Sequence, residues 1–447
     1  MSISALPTGV GSRLHHLLVV ALLSAAPLAM AAELTTQTSV GAKAEYDDNL
    51  RLSPNQEDAV GSAVAEAGLD TLYRTETLDL RANIKVMSTR YNEDGYDSDD
   101  QRAALSASKQ WESQSAGIDV LINRGSTLTT EFLDSGRINT TERVETYKIA
   151  PRWDWTITET SQVALSGSAT QVQYGGGPYT DYRYYDATAQ YIFALRENLR
   201  LFANLTWSKY ESEDFEGQFP SLRLVSIPPF GAFIVDGPLF TQRYTNSSDS
   251  NGATIGGEYA ITENLLVSAV GGVTRTDTTY DIDDVDNGCQ LAANDPNLFF
   301  DGLCYLEDDS ATTTLANASL TWNGVRQRVN ASYVHRTQPS SDGYLIESQQ
   351  ANLGWTYQLT ELSTVIAEGI WGKNKSLGSS ATAAGADRSN RDYYYFNLRY
   401  RHKLTEAWSV NADYRYRYQE REQWQGDSAE SSMVALGIEY QLPRTFW

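Results

Sequence analysis

The chain has 447 residues, with 57 acidic against 35 basic side chains and a formal net charge of −22. An acidic excess of this size excludes nucleic acid as a partner, because phosphate binding draws on clustered Lys and Arg. Hydrophobic residues make up 41% of the chain, yet beyond residue 31 no apolar run approaches the roughly 20 residues of a membrane-spanning helix.

The first element stands outside the fold. Arg13, His15 and His16 precede the apolar run LLVVALLSAAPLA, and Ala29-Met30-Ala31 follows as a small-residue cleavage pattern. Residues 1–31 read as a secretory signal peptide, with cutting after Ala31 or Ala32. Residues 32–447 show no composition break and read as one domain that folds outside the cytoplasm.

From there the dominant signal is alternation. Period two means strand, because successive side chains leave a strand on opposite faces. LDLRANIKV sets Leu78, Leu80, Ala82, Ile84 and Val86 against Asp79, Arg81, Asn83 and Lys85. VETYKIAPRWDW sets Tyr147, Ile149, Trp153 and Trp155 against Lys148, Arg152 and Asp154, and LRLFANLTW sets Leu199, Leu201, Leu205 and Trp207 against Arg200, Asn204 and Thr206. Near the end, Ala412, Tyr414, Tyr416 and Tyr418 oppose Asp413, Arg415 and Arg417. The strands predicted this way are 35–46, 61–74, 78–91, 101–111, 115–125, 144–156, 161–174, 182–194, 199–211, 248–260, 265–277, 312–322, 325–337, 345–358, 363–375, 391–402, 407–420 and 431–442. That is about eighteen, with sixteen as the alternative.

Three features choose a membrane barrel over a soluble sandwich. The segments are longer than the five or six residues usual in soluble strands. Aromatics such as Trp153, Trp155, Trp355 and Tyr357 cap the apolar face, as at a lipid headgroup boundary. The polar face carries charges that a sandwich core could not bury unpaired. The expected fold is all-β: a transmembrane antiparallel up-and-down β-barrel with short periplasmic turns and long extracellular loops.

A short phrase recurs where strands end: Ile157-Thr158-Glu159, Leu195-Arg196-Glu197, Ile261-Thr262-Glu263, Leu359-Thr360-Glu361 and Leu404-Thr405-Glu406. It marks the tight turns of the short side, with Thr75, Glu112 and Asn323-Gly324 filling the other hairpins. The long side is acidic. NEDGYDSDD from Asn92, DTTYDIDDVDNG from Asp277 and LEDDS from Leu306 read as a solvated surface beside anionic lipopolysaccharide rather than as calcium sites. Residues 212–247 differ, holding several Phe, Ile and Val with four Pro and little charge. Such a loop folds inward over the pore, forms an external hairpin, or contacts a partner. Cys289 and Cys304 are expected to pair as a disulfide in an exported chain.

Catalysis has little to draw on. His335 and His402 are the histidines past residue 31, and Ser332 lies three residues from His335, on the opposite face of a strand. No Gly-rich phosphate loop, zinc motif or Cys nucleophile occurs, and no cofactor or metal is expected.

The last strand alternates Val434, Leu436, Ile438, Tyr440 and Leu442 before Phe446 and Trp447. With Tyr440, these two terminal aromatics resemble the signal that outer-membrane barrels present to the barrel assembly machinery. At the other end, Tyr46-Asp47-Asp48-Asn49 within AEYDDNLRLSP, followed by long alternating strands, resembles a family of outer-membrane β-barrel porins. Genes of that family accompany exopolysaccharide synthesis and exosortase-type sorting systems. The resemblance implies the outer membrane of a Gram-negative bacterium, outer-membrane lipid and lipopolysaccharide as surroundings, and periplasmic polysaccharide-export components as partners. It supplies no binding residues. An eighteen-stranded build also looks like alginate-type export barrels.

The function expected is a channel for a polysaccharide or other hydrophilic solute. Two alternatives stand beside it: a structural or interaction barrel displaying acidic loops, and a lipid-modifying enzyme. By the alternation, Arg81, Lys85, Lys148, Arg152, Arg200, Arg326, Arg328, Arg399, Arg401, Arg415 and Arg417 point into the lumen. The acids expected there are Asp79, Asp154, Asp186, Glu368, Asp413 and Glu439. The wall is therefore expected to be mildly basic and to favour anions or hydroxyl-rich solutes. The competing role for each arginine is to pair with Asp across strands and hold the barrel together.

Overall fold

The computed structural model describes residues 32–446 apart from 56–58, 133–140, 177–178, 214, 228–230, 284–286, 288–290, 292–293, 295–297, 301–307, 378–389 and 425. Cys289, Cys304 and Trp447 thus lie outside the described residues.

The strands run β1 (Glu33–Asp47), β2 (Val60–Arg74), β3 (Leu78–Tyr91), β4 (Ser98–Gln110), β5 (Gln114–Ser126), β6 (Arg143–Thr158), β7 (Ser161–Tyr174), β8 (Tyr182–Arg196), β9 (Leu199–Ser212), β10 (Phe215–Ile227), β11 (Gly231–Thr262), β12 (Leu265–Asp283), β13 (Leu298–Phe300), β14 (Asp309–Asn323), β15 (Gln327–Pro339), β16 (Leu345–Gln358), β17 (Ser363–Ser376), β18 (Arg391–Lys403), β19 (Trp408–Arg421), β20 (Ser428–Gln441) and β21 (Thr445–Phe446). Eighteen of them form a closed antiparallel barrel. The barrel closes where β1 pairs with β20, from Ser39 opposite Gln441 to Asp47 opposite Met433. β21 continues along β1, with Phe446 opposite Thr35.

Most limits agree with the alternation to within a few residues. β15 begins at Gln327, two residues later than expected, so Arg326 sits exposed in the β14–β15 turn and not on the wall. Two strands depart further. β11 and β12 run well past the lengths that a membrane requires. The apolar segment 212–247 is the reason: β10 pairs with the first part of β11, from Phe215 opposite Tyr244 to Ile227 opposite Gly231. Of the three expected arrangements it takes the hairpin, which prolongs the wall, and β13 adds to it.

The outer face is apolar. Leu205, Ile255, Val273, Leu353, Val434 and Leu436 are each more than half exposed. In water such a band would be an aggregating surface; in a bilayer it meets hydrocarbon, and a closed barrel leaves no open sheet edge there. Stacked aromatics stand near the tight turns: Trp153 on Trp155, Trp355 on Tyr357, and Trp408 against Tyr440. The inner face is polar, with hydroxyls and amides bonded across strands, as in Ser250 to Thr276 at 2.7 Å and Asn204 to Thr254 at 2.9 Å.

The recurring turn phrase has a physical cause. Thr75, Thr158, Thr262, Thr360 and Thr405 each accept, through the side-chain hydroxyl, the N–H two residues on, at 3.2–3.4 Å. That bond shapes the turn without any special backbone conformation. The apolar residue before it (Ile157, Ile261, Leu359, Leu404) is exposed on the outer face.

Candidate functional site

The inner wall and what fills it form the candidate site. Arg81, Lys85, Lys148, Arg152, Arg200, Arg328, Arg399, Arg401, Arg415 and Arg417 stand on the inner face, out of phase with exposed Ile84, Ile149, Leu201, Leu398 and Tyr414. Most are paired. Arg81 meets Asp79 at 3.2 Å, Lys85 meets Glu66 at 2.8 Å, Arg152 meets Asp119 at 3.1 Å and Arg200 meets Glu258 at 3.7 Å. Arg399 meets Asp413 at 2.5 Å, Arg401 meets Glu439 at 3.0 Å and Arg417 meets Asp47 at 2.8 Å.

The acids expected from alternation were too few. Glu45, Asp47, Glu66, Asp70, Asp119 and Glu258 share the same face. They escape a sequence reading because the opposing face of β1 and β2 is Ala- and Gly-rich, which blurs the alternation. Most of the wall's charges are accordingly cross-linked in pairs. Lys148, Arg328 and Arg415, and also Arg102, which the alternation passed over, have no hydrogen-bonded or ionic partner among the described residues.

Side chains fill the extracellular end of the lumen. After β5, Ser126 caps one helical turn, α1 (Thr127–Thr130), its hydroxyl accepting the Leu128 N–H at 3.3 Å. The turn carries Glu131 and Phe132 inward. Glu131 is buried and accepts from the Tyr174 hydroxyl at 3.0 Å and the Ser341 hydroxyl at 2.8 Å. The Phe132 carbonyl accepts from Arg391 at 2.7 Å. Its ring lies edge-on to Tyr393 and 5.9 Å from the guanidinium groups of both Arg391 and Arg417. Tyr393 lies over Gly372, its cross-strand neighbour, where a methyl group would collide with the ring.

Two apolar clusters pack around this segment. One joins Leu50, Leu52, Tyr96, Leu128, Phe132 and Tyr393; the other joins Val144, Val172, Tyr182, Tyr210 and Leu345. Sequence reasoning missed this plug. Its signal was Leu128 and Phe132 placed in a Thr-rich connection without alternation, overshadowed by the more apolar 212–247.

The Tyr46-Asp47-Asp48-Asn49 stretch clasps the seam. Asp47 accepts the Ser431 hydroxyl at 2.7 Å with one oxygen and holds Arg417 with the other. Asp48 accepts the Ser432 N–H at 2.7 Å. The Asn49 amide donates to the carbonyls of Ser53 and Glu430, both at 2.9 Å. Asn49 and Asp47 thereby fold the β1–β2 loop, in which Leu52 takes a left-handed φ of 51°.

Below the plug, a cavity of about 650 Å³ opens on the inner face of β1–β6, lined by Arg74, Arg81, Arg102, Lys148 and Arg444 among others. Among the described residues neither histidine joins both a serine and a carboxylate. His335 bonds Glu347 at 2.6 Å, while Ser332 is bonded by Asn352. His402 meets the Ser363 hydroxyl at 2.9 Å, but Tyr400 is the third group and no carboxylate joins them among the described residues. Tyr440 lies tilted against Trp408, with ring centroids 4.7 Å apart, and Phe446 is placed through its backbone pairing alone.

No family model matches the chain, and no curated protein matches it. Solved structures share its outline. The siderophore receptor PiuA from Acinetobacter baumannii aligns with a TM-score of 0.45 at 8% identity, covering 92% of this chain and 82% of that one. The ferric-catecholate import receptor Fiu from E. coli K12 aligns at 0.44 with 11% identity, covering 93% and 82%. The outer membrane channel DcaP of A. baumannii aligns at 0.39 with 10% identity, covering 92% and 98%. These are similarities of shape between chains with little sequence in common.

Proposed function

We propose that this chain is an outer-membrane β-barrel channel for a hydrophilic solute, with a polysaccharide as the foremost candidate. The observation that carries this reading is the polar inner face with its open cavity beneath an apolar, lipid-facing exterior. A barrel that served only as a scaffold has no need of a hydrated interior. The polysaccharide assignment is supported by the hydroxyl- and amide-rich wall, which offers hydrogen bonds to sugars, and by the seam motif's resemblance to porins of exopolysaccharide systems. Wild-type protein in planar bilayers should show rare, brief openings, and Phe132→Ala with Arg391→Ala should open for much longer. Absence of an open state in both would sink the channel reading.

The filled extracellular end favours a second reading, a closed barrel that displays its loops to a partner. The same bilayer recording separates the two, because a scaffold stays silent when the plug is loosened.

A further inference from the structure

We infer that the cavity over β1–β6 is a binding site for an acidic saccharide, with Arg102 and Lys148 as the carboxylate-binding groups. The inference deepens the channel reading by naming a class of solute, and it rests on that reading for its biological meaning.

The argument starts from pairing. Most inner-wall cations are neutralised by a neighbour, and two of the exceptions lie together. Arg102 and Lys148 line one cavity. In the register, Arg102 on β4 faces Lys85 and Asn123, and Lys148 on β6 faces Leu121. Of the cavity's two acids, Asp119 holds Arg152, while Asp70, which accepts from the Asn83 amide at 2.5 Å, keeps its charge against five lining cations. Arg74 and Arg81 share the single carboxylate of Asp79. Arg444 reaches in from the chain's end and donates to the amide oxygen of Gln37 at 3.0 Å, which leaves its charge uncompensated. The result is a local cationic excess within a wall whose other charges are mostly paired.

Two features point to a saccharide rather than a bare anion. The volume, about 650 Å³, falls within the roughly 300–1,000 Å³ of small-molecule sites and exceeds what one inorganic ion occupies. Between the cations stand Thr35, Gln37, Asn83 and Ser106, neutral donors and acceptors suited to ring hydroxyls. Charge-assisted bonds from Arg and Lys would hold the carboxylates, and these groups would hold the rest.

The test is equilibrium binding by calorimetry to the full-length barrel in detergent micelles, which needs no open channel. The probes are trigalacturonate, a neutral galactose trisaccharide, and inorganic sulfate and phosphate. Trigalacturonate should bind and should weaken with rising salt. Arg102→Gln with Lys148→Gln should weaken it by about a hundredfold, roughly tenfold for each cation lost. Arg102→Lys with Lys148→Arg should retain binding, and heat-modifiable gel mobility checks that each variant is folded. Equal binding of the neutral trisaccharide, binding of sulfate or phosphate as tight as the trimer, or no change in the double Gln variant would each overturn the assignment. Binding without conductance would retain the site and remove the channel. Conductance without binding would do the reverse.

Discussion

Replacing Asp47 by Ala tests how the mouth of the barrel is held. The Arg417 and Asp47 side chains are only 6% and 8% exposed, and they meet at 2.8 Å. Removing the carboxylate leaves a guanidinium buried without its counter-charge, at a cost of about 3–5 kcal/mol. The exposed pair of Lys85 and Glu66, with side chains 50% and 30% exposed, gives the contrast. Glu66→Ala should cost at most about 1 kcal/mol, because water screens such a pair. Arg417→Met added to Asp47→Ala should recover much of the loss, since no orphan charge then remains. The assay is urea unfolding of the refolded barrel in lipid vesicles, read by heat-modifiable gel mobility. Equal losses for Asp47→Ala and Glu66→Ala, or a double variant no better than Asp47→Ala alone, would refute the reasoning.

Gly372→Ala should push the Tyr393 ring off β17 and free Phe132, lengthening channel openings while the barrel remains folded; unchanged gating would show that Tyr393 does not hold the plug. Leu436→Arg places a charge on the lipid face at about 2–4 kcal/mol near the midplane and should impair assembly, whereas Gln441→Ala on the inner face should be mild; equal defects would mean that the facing is wrong. In a salt gradient, the reversal potential should show weak anion preference that Arg328→Glu with Arg415→Glu abolishes; cation preference unmoved by that pair would assign the field to the acidic loops. Cys289 and Cys304 should resist thiol labelling until a reductant is added, and labelling of the unreduced protein would exclude the disulfide.

The barrel was legible because its constraints are periodic. A strand between lipid and water must alternate, and LDLRANIKV or NADYRYRYQE can be read face by face without knowing any neighbour. Five of the turns were legible for a related reason, since Thr at a fixed phase does the same local work in each of the five. The lumen was not. Whether Arg152 or Arg401 is a free charge or half of a pair depends on Asp119 and Glu439. Which acid stands beside which arginine is set by register between strands, not by order along one. Asp119 and Arg152 are 3.1 Å apart, yet belong to different strands joined by a long connection. The plug was hidden more deeply. Phe132 matters because of Arg391, Tyr393 and Arg417, which lie far along the chain, and no local pattern announces a loop that turns inward.

Asp47 serves two structures at once. One of its oxygens binds Ser431 on the closing strand; the other holds the guanidinium that lies against Phe132. The closing seam and the packing at the mouth therefore share one carboxylate. A substitution that breaks the bond to the last strand also withdraws the counter-charge beside Phe132, so neither can be loosened without the other.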